Sequence, residues 1–304
     1  MPSLRSWFYY QISRFTLARL RARNLSLPEL RADREKIAGR MFRLPQGVAV
    51  RPCTIGGCPA EWLVPTDARA GTAVLHLHGG AYQTGSLATH RALAARLALE
   101  SGSPVLLFEY RLAPEHPFPA ALDDALRVYR ALLAETEIRR IALIGDSAGG
   151  GLALALALAL RDAGEPLPAG LALLSPWTDL ALTGATHRSK ARLDPYFPTP
   201  DILDVAAQRY AGADRRNPLV SPLHADLSGL PPMLIHVGSY ETLLDDSVML
   251  AERARAAGTA VEIRQWPGMW HVWQVFSGRM PEADRSLAEL GNFLRQRLEF
   301  SIQS

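Results

Sequence analysis

Two rhythms of hydrophobic and polar positions alternate along most of the chain. Short apolar or β-rich runs occupy residues 73–77, 105–108, 141–144, 171–174, 233–237 and 261–264. Between most of them lie stretches with helical spacing, at 88–99, 120–133, 150–162 and 243–257. Runs of four or five apolar residues without a polar face are what a strand buried on both sides requires, and strands that alternate with helices build a mainly parallel sheet with helices on both faces. The predicted fold class is therefore α/β. Leu152 to Leu160 is a Leu/Ala run of high helix propensity, too short to span a bilayer, and reads as a buried central helix.

Three regions depart from this rhythm. Residues 42–65 are strand-like with turn punctuation, as expected of an antiparallel edge. The first forty or so residues read as two helices, with Trp7, Phe8, Ile12, Phe15 and Leu20 on an apolar side and Arg5, Arg14, Arg19, Arg21 and Arg23 elsewhere. Such a helix either lies on a membrane surface or covers part of its own protein, and the second reading is preferred. Charges interrupt every apolar run there, so neither a secretory signal nor stable membrane insertion is expected. The third departure is a polar, proline-bearing insertion at about 178–212 containing Asp194-Pro195-Tyr196-Phe197. It follows a strand end, the sheet edge where ligands of α/β proteins bind, and with the N-terminal helices it is placed to form a lid. The predicted organisation is a helical cap at 1–45 and a main α/β domain at 46–304 that carries the insertion.

Composition changes this picture little. No linker or low-complexity tract divides the 304 residues, and 48% hydrophobic content is ample for one core. The net charge of +3 comes from interspersed Arg, Asp and Glu, so a pI near 9.0 does not argue for nucleic acid. Cys53 and Cys58 flank Thr54-Ile55-Gly56-Gly57, a hairpin turn across which they could face each other; two reduced thiols in a cytoplasmic protein are the preferred reading and a hairpin disulfide the alternative.

The chemistry begins at Gly145-Asp146-Ser147-Ala148-Gly149, a Gly-x-Ser-x-Gly turn between a strand and a helix. The glycines remove side chains that would collide in so sharp a turn, and the serine stands at its apex as a candidate nucleophile. The following helix points its free N–H groups toward a developing oxyanion, the first of them that of Ala148. His78-Gly79-Gly80-Ala81-Tyr82 follows another strand, and N–H groups of such a glycine turn can donate to the same oxyanion.

A serine hydroxyl needs a base, and the base an acid to hold its other nitrogen. Of eight histidines, His76 and His236 lie within strands, His78 belongs to the glycine turn, and His90, His116, His187 and His224 read as surface or connection. His271, on a loop after the last strand, is the candidate base. Glu241 lies closest to the end of the strand at 233–237 and is the candidate acid, while Asp245 and Asp246 suit the first turn of the next helix. Tyr82, Trp177, Phe197 and Trp270 are candidate pocket residues. The proline-rich stretch at 110–119 is assigned a loop-fixing role without chemistry.

His78-Gly79-Gly80, Tyr110-Arg111-Leu112-Ala113-Pro114-Glu115, Gly145 to Gly149, Ser175-Pro176-Trp177 and the His271 loop together resemble the hormone-sensitive-lipase-like (bacterial family IV) carboxylesterases of the α/β-hydrolase fold. The resemblance runs from about Leu75 to His271. It implies a serine esterase of short acyl esters, a helical cap, and oxyanion donors at Gly79, Gly80 and Ala148. Two departures stand out: Ala81 replaces the third glycine of the usual His-Gly-Gly-Gly, and Glu241 stands where Asp is commoner. No metal-ligand cluster, phosphate loop or dinucleotide fingerprint is present, so no cofactor and no metal are expected. The expected partner is a small-molecule ester, with a homodimer through the strand at 261–265 as a further possibility. Two other readings stay open, an amidase or deacetylase of acetylated metabolites and a non-catalytic receptor on the same fold.

Overall fold

The computed structural model describes residues 2–299. Its strands are β1 (Val48–Ile55), β2 (Cys58–Pro65), β3 (Thr72–Leu77), β4 (Val105–Phe108), β5 (Arg140–Asp146), β6 (Leu171–Leu174), β7 (Met233–Gly238) and β8 (Val261–Trp266). They form one eight-stranded sheet in the order β1-β2-β4-β3-β5-β6-β7-β8. β1 pairs antiparallel with β2 and β2 with β4, while every pairing from β4 through β8 is parallel. The helices are α1 (Leu4–Ala22), α2 (Leu27–Met41), α3 (Leu87–Ser101), α4 (Ala120–Ala134), α5 (Ala148–Asp162), α6 (Thr186–Ser189), α7 (Asp201–Ala211), α8 (Leu244–Ala256) and α9 (Pro281–Leu298).

Successive strand residues point to opposite faces, and both faces are apolar. Leu75, Leu77, Leu106 and Phe108 pack with α4, α5 and α8 in one core cluster. Val74, Val105, Leu107 and Ile144 pack with α3 and α9 in another. This double cover explains why β3 to β7 read as continuous apolar runs. α9 is absent from the elements expected above, although Leu287, Leu290, Leu294 and Leu298 recur at helical spacing and are buried. Among the described residues no helix is long and apolar enough to cross a membrane.

The structure corrects three expectations. α1 does not turn Trp7, Phe8 and Phe15 inward: they are exposed, and Ser6, Tyr10, Ser13 and Leu20 form the packed face. Small serines let the helix approach closely, and the Tyr10 hydroxyl donates to the Leu193 carbonyl at 2.8 Å. Cys53 and Cys58 do not face each other. Gly56 (φ 56°) and Gly57 (φ 79°) make a two-residue turn, so Ile55 opposes Cys58 and Cys53 opposes Ala60, and both thiols are free. His187 is not at the surface but buried, 3.0 Å from the Asp246 carboxylate. That carboxylate also accepts from the Thr178 and Asp179 N–H groups, each at 2.9 Å, and so ties the start of the insertion to α8.

Candidate active site

The sheet delivers Ser147 at the end of β5, at φ 54° and ψ −123°, a backbone that no relaxed serine prefers. Its N–H donates to Leu174 O at 2.9 Å, and its carbonyl accepts from Trp177 N at 2.9 Å, so the turn is fastened to β6 and the loop after it. A side chain at Gly145 would drive into the Gly149 carbonyl, and one at Gly149 into the Leu77 carbonyl, which is why both are glycine.

His271 reaches this turn from the loop after β8. Ser147 Oγ donates to His271 Nε2 at 2.9 Å, and His271 Nδ1 donates to Glu241 Oε2 at 3.2 Å, the tautomer that leaves Nε2 free to accept. Glu241 is fully buried, and its second oxygen accepts from Ser175 Oγ at 2.7 Å and from Gly238 N at 2.6 Å. The Val272 N–H in turn donates to Ser175 Oγ at 3.2 Å, which fixes the backbone next to His271. Burial opposes a charge on His271, but its hydrogen bond to Glu241 and the charges of Glu241, Asp194 and Asp146 outweigh it and raise the pKa. Asp245 makes no such contact; its carboxylate accepts from Thr186 N at 3.0 Å.

The glycine turn lies beside Ser147. Among the described residues, the N–H groups of Gly79, Gly80 and Ala148 engage no acceptor, as an oxyanion site requires. Gly80 has φ 124°, and Ala81 (55°) and Tyr82 (59°) are both left-handed. Several bonds hold this strained segment. Gln83 N and Thr84 N donate to Gly80 O, Ala113 N donates to Tyr82 O, and Tyr110 Oη donates to His78 O at 2.7 Å. The His78 ring stacks on Tyr110 at 4.1 Å, and burial lowers its pKa to about 3. From α2, Arg31 Nε donates to Gln83 O at 2.7 Å and Arg34 to Thr84 Oγ1 at 3.1 Å.

Above these groups lies a cavity of about 500 Å³, lined mostly by apolar side chains. Leu17 and Leu20 of α1, Ile37 of α2 and Ile202 and Val205 of α7 form its cover, with Ser147 and His271 at its floor. Phe197 lines it too, its ring 4.9 Å from that of His271.

A profile described as alpha/beta hydrolase fold matches residues 74–275. The chain belongs to that family, in its bacterial hormone-sensitive-lipase branch. An acetyl-hydrolase of Streptomyces hygroscopicus is 46% identical over 86% of this chain and 87% of its own length. An esterase of Acinetobacter venetianus is 39% identical over 94% and 96%. The crystal structure of an esterase from the bacterial hormone-sensitive lipase family superposes with a TM-score of 0.88, at 42% identity, over 93% of this chain and 97% of that one.

Within this hydrolase the structure brings Ser147, His271, Glu241, Gly79, Gly80, Ala148 and Phe197 together at one sheet edge. Three proposed pocket residues are placed elsewhere. Tyr82 is buried and stacked on Tyr210 at 3.7 Å. Trp177 is fully buried, its Nε1 donating to Asp179 O at 3.3 Å, and Trp270 is buried against Tyr10 of α1 and Phe276. None of the three lines the cavity; each is packed in the core instead.

Sequence reasoning also missed several residues of the site. Asp146, next to the nucleophile, lies between His76 Nε2 at 3.2 Å and His90 Nε2 at 3.3 Å. Burial opposes its ionisation, yet the His90 charge and the two hydrogen bonds hold its pKa well below the usual carboxylate range. His90 therefore belongs to the site and lines the cavity rather than the outer surface. Asp194 is a second buried carboxylate near the base, held by Thr242 N at 3.0 Å, Thr242 Oγ1 at 3.1 Å and Tyr196 N at 2.9 Å. Its place in the insertion just before Tyr196-Phe197 was the one signal available.

Proposed function

We propose that this hydrolase cleaves short- to medium-chain acyl esters of small molecules through a Ser147-His271-Glu241 triad. The observation that carries this reading is the unbroken bond path from Ser147 Oγ through His271 to Glu241. His271 takes the serine proton as Oγ attacks the ester carbonyl, and Gly79, Gly80 and Ala148 donate to the oxygen as it becomes negative. His271 then gives that proton to the leaving alcohol. Water, deprotonated by the same nitrogen, attacks the acyl-enzyme, and the proton returns to Oγ as the acid leaves. Glu241 keeps the imidazole in the accepting tautomer and offsets its charge when protonated.

Residues 1–45 and the insertion at about 178–212 act as the cap in this reading, and the apolar cavity beneath them sets the length of acyl chain. Two reduced thiols fit a cytoplasmic enzyme. β8 is an edge strand with alternate residues exposed, and it can pair with its twin in a homodimer, which sizing at several concentrations tests.

A panel of p-nitrophenyl esters of increasing acyl length, with an acetamide alongside, tests the function. Activity is expected on acetyl to medium chains, falling sharply beyond them, with little on the amide. Best activity on long-chain triglyceride emulsions contradicts the proposal, as does full activity without Ser147.

A further inference from the structure

Nothing in the reaction explains the outer face of α1. Leu4, Trp7, Phe8 and Phe15 are 88%, 62%, 55% and 62% exposed. With 3.6 residues per turn these four share one sector roughly 100° wide and about 16 Å long. Among the described residues, the exposed aromatic side chains all lie here. Exposed apolar residues scattered singly are ordinary, but aromatic ones gathered on one helix face mark a surface that meets something.

The charges say what it meets. α1 contains no acidic residue. On the helical projection Arg14 borders one side of the apolar sector, and Arg19 and Arg5 the other. All three are exposed, and among the described residues none has a carboxylate partner; Arg19 lies over the Phe15 ring at 5.1 Å and Arg14 over Tyr10 at 5.7 Å. Two further arginines are already engaged, Arg21 with Pro195 O and Arg23 with Asp33. An apolar aromatic strip flanked on both sides by cations without carboxylate partners complements a layer that is anionic at its surface and hydrocarbon beneath. It is the pattern of helices that lie in a lipid interface.

We propose that α1 docks this enzyme on an anionic lipid surface, with Trp7, Phe8 and Phe15 in the boundary between headgroups and acyl chains and Arg5, Arg14 and Arg19 on the phosphates. The helix is not a membrane span; it lies flat and stays reversible. Its inner side supplies Thr16, Leu17 and Leu20 to the cavity wall, so docking brings the cover of the cavity to the lipid boundary. Esters partitioned into the membrane then meet the enzyme without first crossing bulk water.

The test is co-sedimentation of the full-length protein with vesicles of phosphatidylcholine containing phosphatidylglycerol, and with phosphatidylcholine alone, at low and high salt. The wild type is expected to pellet with the anionic vesicles at low salt, to be released at high salt, and to stay in solution with neutral vesicles. The Trp7→Ser/Phe8→Ser/Phe15→Ser and Arg5→Gln/Arg14→Gln/Arg19→Gln variants are each expected to bind roughly tenfold less or weaker still. Both should retain hydrolysis of a soluble p-nitrophenyl ester, which shows that the fold and the site are intact. Wild type that stays in solution with anionic vesicles overturns the proposal, and so do variants that bind as the wild type does. A wild type that is dimeric on sizing beside a monomeric aromatic variant also overturns it, because the face then belongs to a second copy of the chain.

Discussion

Ser147, His271 and Glu241 are 4%, 3% and 0% exposed, and each is fixed by hydrogen bonds from at least two elements. α1, on the other side of the cavity, turns three aromatic rings to solvent and packs inward through two serines, a tyrosine and a leucine. Between them, α2 reaches the glycine turn through Arg31 and Arg34. The proposed reacting groups thus occupy a region where any displacement breaks several bonds, whereas α1 keeps an aromatic face in solvent. Under the proposals made above, rate resides below the cavity, and selectivity and location above it.

The largest separation between the two regions comes from Ser147→Ala, which is expected to lower kcat by about 10⁴ to 10⁶ with the fold retained by circular dichroism. Glu241→Gln keeps size and hydrogen-bonding capacity but loses the charge, and kcat should fall roughly 10² to 10⁴ with little change in KM. Its pH profile carries a second signature. His271 accepts a proton only when neutral and its pKa is raised, so kcat/KM of the wild type should rise along a limb above the ordinary imidazole value of about 6.5. Removing the Glu241 charge destabilises the imidazolium, so that limb should move to lower pH. An unmoved limb assigns the limb to another group.

Arg31 sits at the junction. It donates to Gln83 O and Ala113 O and pairs with Glu115 through two bonds, at 2.8 and 2.7 Å. Arg31→Ala should release the strained turn at Ala81 and Tyr82, lowering kcat about tenfold, and should cost about 1–3 kcal/mol of stability by denaturant titration. Arg31→Lys should recover part of the kcat; equal loss in both contradicts a role for the charge and its contacts. The smallest effect is expected from Asp245→Asn at the start of α8, about 0.3–1 kcal/mol of stability with near wild-type turnover.

How much was legible in the chain divides along the same line. The inner parallel strands β3 to β7 and the turn at Ser147 announce themselves through local patterns, because a strand buried on both faces is predominantly apolar and a sharp turn needs its glycines. His271 and Glu241 follow from their positions after strand ends. The orientation of α1 did not, since apolar residues lie on both of its faces and only the packing of Ser6 and Ser13 selects the inward one. The placement of Trp177 and Trp270 away from the cavity was illegible for a related reason: whether a ring walls a cavity or fills a core depends on neighbours distant in sequence. Asp146 was hidden because its partners, His76 on β3 and His90 on α3, come beside β5 only through the parallel pairing of β3 with β5 and the packing of α3.

The reaction proposed here has one direct test. The protein is inactivated with an organophosphate, digested, and the modified peptide sequenced by mass spectrometry. A single adduct on Ser147, formed at a rate that falls sharply in Glu241→Gln, is the expected result. Inactivation with the adduct on any other residue, or an unmodified Ser147 in fully inactive protein, contradicts the triad.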